Sequence, residues 1–174
     1  MVFMSGADAA DVTARAVVGL GGLGRRLDAV VGAAYPHLST LRAIVARQPA
    51  TELHVNTEAM ATLMDQADLS VGAPSSASWE RCTLAMPAVL VRLAENQLAI
   101  ERLLVDAGAA VSIGWHEAVT APDLERAVGA LCDDPARVAA MSEAAGRVTD
   151  GRGTERVVAA IDAIVADRSG KGPR

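Results

Sequence analysis

Lysine is almost missing from these 174 residues, and aromatic side chains are rare: one Phe, one Tyr and two Trp. All but one of the 16 basic residues are Arg, set against 21 acidic residues for a net charge of -5. No face reads as a basic patch, so charge offers nothing to nucleic acid or to an anionic membrane. The two cysteines, Cys82 and Cys132, are too few for a disulfide framework and form no CxxC pair. The three histidines show no metal-ligand spacing, and no nucleophilic triad is legible, so neither a metal nor a cofactor is expected. No apolar run approaches about 18 residues, and no basic segment followed by an apolar one opens the chain. A soluble cytoplasmic protein, with no membrane insertion, is the expectation.

What remains is 51% hydrophobic, mostly Ala, Val and Leu, enough to build the core of one domain. The apolar runs fall into a regular order. Met1–Met4 is a short first strand, and Asp11–Leu20 has helical spacing. Leu27–Gly32 is a second strand, His37–Arg47 a helix and Thr51–Val55 a third strand. Thr57–Ala67 reads as a helix capped by Asn56 or Thr57. Leu69–Val71 and Ala88–Leu93 are strands four and five, with a short helix between them that holds Trp79 and Glu80. Glu95–Asp106 is a helix stopped by Gly108, and Ala109–Ile113 a sixth strand. From Pro122 onward the pattern is helical, with breaks near Asp133-Asp134-Pro135 and at 150–153. Strands alternating with helices predict βαβ units and an α/β, doubly wound, six-stranded parallel sheet of Rossmann type. Such strands are buried on both faces, which is why they are apolar runs. One domain over 1–167 and a disordered tail over 168–174 are expected.

Ligands of such a sheet sit beyond the carboxyl ends of the strands, where the strand order reverses. Two loops there have the composition of an anion site: Ser5-Gly6-Ala7, and Gly72–Ser78 with Ser75, Ser76 and Ser78. Free N–H groups at a helix start favour a phosphate. Neither loop is a Walker motif or a GxGxxG, so spacing alone is weakly specific.

The segments "SGADAADVT", "VVGAAYPH", "VGAPSSASWERCTLAMPAVLVRLAENQ" and "AGAAVSIGWHEAV" resemble the C-terminal half of the PseG/SpsG-type UDP-sugar hydrolases of pseudaminic acid synthesis. Those enzymes are related to the MurG-like glycosyltransferases of the GT-B fold. The resemblance implies strand order 3-2-1-4-5-6 and a UDP-amino sugar as ligand. It implies that Glu80 takes the ribose hydroxyls, since a carboxylate accepts two hydrogen bonds from a vicinal diol. A glutamate is also what the helix dipole favours on a first turn. Ser75, Ser76, Ser78 and Gly72, with Ser5, Gly6 and Ala7, become diphosphate candidates. Asn96 and Gln97 become candidates for the diphosphate or sugar. Trp79 is expected to pack and fix the loop. His37 is placed near the ligand, His54 buried in its strand, and His116 at a turn. Ser5 stands where the family usually has glycine, and Pro74 removes an N–H that a phosphate would use.

Family members carry an N-terminal domain first, with a glycine-rich loop and a general-base histidine. Nothing here matches it, so this chain alone is expected to be inactive, with no catalytic residue of its own. The missing half would come from a separate domain, or an apolar docking face would drive self-association. A catalytically silent UDP-sugar-binding or assembly partner, or part of a GT-B glycosyltransferase, are the other readings.

Overall fold

A computed structural model describes residues 1–170, with side chains through residue 166. Six strands form one sheet: β1 (Val2–Phe3), β2 (Leu27–Val31), β3 (Thr51–Val55), β4 (Ser70–Gly72), β5 (Ala88–Arg92) and β6 (Ala110–Trp115). Their order is β3-β2-β1-β4-β5-β6, and every neighbouring pair is parallel. This is the expected doubly wound α/β sheet, with its order reversing between β1 and β4.

Helices α1 (Val12–Leu20), α2 (Leu38–Val45), α3 (Met60–Asp65), α4 (Ala77–Thr83), α5 (Leu98–Asp106), α6 (Ala121–Cys132), α7 (Pro135–Val148) and α8 (Gly153–Gly170) complete the chain. Successive strand residues supply opposite cores, as the period of two requires. Val89 and Val91 join the larger cluster with Val2, Val31, Val17 and Leu124. Their neighbours Ala88 and Leu90 join Leu104 and Ala145 in a second. Val30 packs with Leu63, Met64 and Met86 in a third. Helix α6 starts on a capping box between Thr120 and Asp123, and α7 on the Asp134 side chain.

Several helix starts differ from the sequence expectation, α1 among them, which begins at Val12 after Asp11. Helix α3 begins at Met60, not Thr57. Asn56 is left-handed (φ 52), and Thr57 Oγ1 accepts a hydrogen bond from the Ala59 N–H, so the segment turns before it coils. Helix α2 begins after His37 and ends at Val45. Helix α5 begins at Leu98, because Glu95–Gln97 forms a 3₁₀ turn first. Strand β6 runs on to Trp115, two residues past the expected Ile113. Of the tail expected over 168–174, helix α8 takes in residues up to Gly170, and the rest lies outside the described residues.

Helix α8 carries Val157, Val158, Ile161 and Ile164 at helical spacing, all more than half exposed. Among the described residues, no helix is long and apolar enough to cross a membrane.

Candidate functional site

In a doubly wound sheet the ligand crevice lies where the strand order reverses, which here is between the loops that follow β1 and β4. The two strands meet with Phe3 opposite Gly72. Only glycine fits at 72: a Cβ there would lie 2.5 Å from the Phe3 carbonyl oxygen and 2.5 Å from Arg81 Nη1. Gly32, at the end of β2, is equally constrained. Its N–H donates to the Gly6 carbonyl at 3.0 Å, and a Cβ would lie 2.4 Å from that oxygen. These two contacts draw the loops after β1, β2 and β4 together.

Of the first loop, Ser5 Oγ accepts a hydrogen bond from the Asp8 N–H at 2.8 Å. Gly6 and Ala7 are exposed, and nothing lies within 4 Å of a Cβ built on Gly6. The start of α1 is not open, however. The buried Asp8 carboxylate accepts from the N–H groups of Val12 (3.3 Å) and Thr13 (2.7 Å). The helix start that the sequence offered to a phosphate is thus already closed by a carboxylate, a residue the sequence reading did not single out. Its signal was an acid at the start of a helix, where the dipole favours one.

In the second loop the three serines are not equivalent. Ser78 is fully buried; its Oγ accepts from the Ser75 N–H (3.2 Å) and from Arg81 Nη2 (2.9 Å). It braces the loop from within. Ser76 is exposed and Ser75 half-buried, and neither hydroxyl caps α4. Glu80 is exposed on the first turn of α4 and makes no hydrogen bond or ion pair among the described residues. Trp79 corrects an expectation: it is 38% exposed rather than packed, because α4 turns Ala77, Ser78, Arg81 and Cys82 inward and leaves Trp79 on the outer side.

At the end of β5, Gln97 Oε1 accepts from the Leu93 N–H at 2.8 Å and so fixes the chain's exit from the strand. Asn96 beside it is exposed and makes no side-chain bond among the described residues. The β5–β6 end holds a group that sequence reasoning missed. Arg92 pairs with the buried Glu101 at 3.0 Å and lies 5.5 Å from the ring centre of Trp115. Glu101 also takes the Ser112 hydroxyl in a short hydrogen bond. Arg15 of α1 ties this edge to the centre, donating to the carbonyls of His116 (2.5 Å) and Val119 (2.7 Å).

The histidines divide by position. His37 stands at the mouth of β2, its Nε2 3.3 Å from the Ala9 carbonyl and its ring edge-on to Tyr35. The Tyr35 hydroxyl bonds the Asp11 carboxylate. Burial first, and that carboxylate second, push the phenol well above its usual range, so it stays a donor. His116 follows β6, stacked obliquely on Trp115. His54 is half-buried in β3, its Nε2 2.9 Å from Asp28 Oδ1.

The register of β2 and β3 sets Asp28 opposite Glu52. The ligating atoms of Asp28, Glu52 and His54 therefore lie within 4.8 Å of one another, although the histidines lack metal-ligand spacing in sequence. Arg26 already occupies this group, 3.3 Å from Asp28 and 3.9 Å from Glu52. Burial opposes the Asp28 charge, but the bonds from His54 and Arg26 outweigh it and hold the carboxyl below its usual value. Asp28 therefore stabilises the fold above the ordinary aspartate pKa, and that contribution is lost as pH falls through its lowered folded value. Thermal melts from pH 7 down to pH 2 should show this acid-side loss in the wild type and a reduced one in Asp28→Asn. An equal acid slope in the two would remove Asp28 as its source.

A cavity of about 540 Å³ opens at the opposite end of the sheet, by the amino ends of β1, β2 and β4. Arg26 and Asp28 line it; Ser5, Gly6, Ala7, the Gly72–Ser78 loop, Asn96 and Gln97 do not.

No family model matches the chain. In sequence it is 26% identical to the spore coat polysaccharide biosynthesis protein SpsG of Bacillus subtilis over 132 residues, 76% of this chain and 39% of that protein. Its fold matches MurG of Acinetobacter baumannii (TM-score 0.77, 22% identity, 93% of this chain and 48% of that one). It also matches the spinosyn rhamnosyltransferase SpnG, solved in complex with thymidine diphosphate (TM-score 0.65, 15% identity, 90% of this chain and 44% of that one). The chain spans less than half the length of each of these relatives. It is SpsG-like in sequence, and its fold is that of the C-terminal half of a MurG-like GT-B protein.

Proposed function

We propose that this SpsG-like, GT-B-type chain is the UDP-amino-sugar-binding half of a UDP-sugar hydrolase, seating UDP in the crevice between the loops after β1 and β4. The observation that carries the reading is Glu80. It is an exposed carboxylate with no partner, one turn into α4 behind the serine loop, inside the motif "SWERC". A carboxylate left without a hydrogen bond is free to accept both hydroxyls of a ribose. Ser75, Ser76 and the backbone from Gly72 onward face the diphosphate, with Ser78 as brace. Exposed Asn96 offers a donor and an acceptor to an acetamido group, while Gln97 holds its loop. Ser5, Gly6 and Ala7 bound the other wall.

The chain's share of its relatives supports a partner domain that supplies the rest of the cleft. The apolar residues of α8 then have a surface to cover them. A glycosyltransferase half is the second reading, because MurG and SpnG share the fold. A transferase would pass the sugar to an acceptor rather than to water.

The purified chain should bind UDP more tightly than ADP. Glu80→Ala should weaken UDP by about 1–3 kcal/mol, the scale of hydrogen bonds to a charged group, with the fold intact. Titration calorimetry giving equal UDP affinity in the two proteins would remove Glu80 from the site.

A further inference from the structure

Arg81 has no role in the reading above, and its environment is unusual. It is 2% exposed, beneath the Gly72–Ser78 loop. Nη2 donates to the Ala73 carbonyl at 2.8 Å and to Ser78 Oγ at 2.9 Å. Nη1 lies 2.5 Å from where a Cβ on Gly72 would stand. Nε is buried with no hydrogen-bond partner. No carboxylate pairs with the guanidinium among the described residues. Burial lowers its pKa to about 10, so it is a cation at neutral pH. Burial keeps the neighbouring Cys82 thiol neutral, and the exposed Glu80 carboxylate acts on the guanidinium only through its field, with no ion pair between them.

A buried charge with no paired counter-ion carries a large desolvation cost. Across the crevice the opposite holds: the start of α1 is filled by the buried Asp8 carboxylate. One wall therefore carries a fixed negative charge and the other a fixed positive charge.

We propose that the Arg81 guanidinium is the built-in counter-charge for the diphosphate of the ligand. It acts through the Gly72–Ser78 loop that it also shapes, and draws the diphosphate to the β4 wall, away from Asp8. Arg81 is a positioning residue, since its own donors are turned to the loop from below. The inference rests on the nucleotide-sugar reading and names the part of the ligand that the β4 wall selects.

UDP and uridine separate the two roles Arg81 could have. A purely structural role would affect both ligands alike, while a counter-charge acts on the diphosphate alone. Affinities for UDP and for uridine are measured by calorimetry on wild type, Arg81→Lys, Arg81→Gln and Arg81→Met. Folding of each is checked by circular dichroism. Wild type should prefer UDP over uridine by at least about tenfold, the scale of one charge-assisted hydrogen bond. Arg81→Lys should keep most of that preference. Arg81→Gln, which retains donors for the Ala73 carbonyl, and Arg81→Met should lose it while uridine binding stays within about threefold. A folded neutral variant that keeps the wild-type ratio overturns the proposal. So does a wild type that binds UDP and uridine equally, a readout that needs no variant to fold. A wild type that binds neither ligand overturns the nucleotide reading itself.

Discussion

Gly72→Ala should lower stability by about 3 kcal/mol, the upper end of what overpacking usually costs, and remove UDP binding with it. The added methyl would stand 2.5 Å from the Phe3 carbonyl oxygen, which belongs to the central strand β1. It would stand equally close to Arg81 Nη1. Neither neighbour can retreat. The strand is hydrogen-bonded on both sides, and Arg81 is buried and held by Ala73 and Ser78. A change of that size in a domain of this length moves the melting midpoint by about 6–12 °C. Gly6→Ala is the matched control. It alters the facing loop, but its methyl would meet nothing within 4 Å, so its effect should stay within about 0.5 kcal/mol. Melts monitored by circular dichroism decide the matter. Equal midpoints for the two variants would mean that the β1–β4 contact is looser than described.

The sheet was legible because burial on both faces leaves a mark that needs no tertiary knowledge. In β5, Val89 and Val91 serve one core while Ala88 and Leu90 serve another, so the strand has to be apolar from Ala88 to Val91. Helix α3 was overextended for the opposite reason. Asn56 and Thr57 are good cap residues in general, but here the left-handed Asn56 makes a turn first. The glycine-serine loop could be found from composition, since small residues before a helix are what close approach requires. The charges behind it could not. An arginine in an exposed-looking sequence is ordinarily on the surface, and nothing local says that Arg81 turns inward. Asp28, Glu52 and His54 converge only through the β2–β3 register. No spacing along the chain encodes that meeting.

Turnover is where the proposed half-cleft makes its strongest demand. The chain alone should release UDP from a UDP-amino sugar no faster than buffer does. General-base catalysis contributes about 10²–10⁴-fold, and the base must come within about 3 Å of the proton it takes, directly or through one water. Each histidine is placed against that role. His54 is tied to Asp28 on β3, and His116 lies beyond β6 against Trp115. His37 is nearest the crevice, but its Nε2 faces the Ala9 carbonyl and its ring packs on Tyr35. The carboxylates are similarly committed. Asp8 holds the start of α1, and Asp11 holds the Tyr35 hydroxyl. Glu80 is assigned to the ribose, at the far end of the diphosphate from the anomeric carbon, while Glu95 is exposed beside Asn96. The half-cleft reading places the base for water at that carbon on the facing domain rather than on this wall. A coupled assay for UDP, run on wild type beside His37→Ala, tests this. Turnover in the wild type that vanishes in the variant would make His37 the base and this chain a complete enzyme. Background release from both, rising by at least about 10²-fold when the chain is fused behind the amino-terminal half of SpsG, is the result the half-cleft predicts.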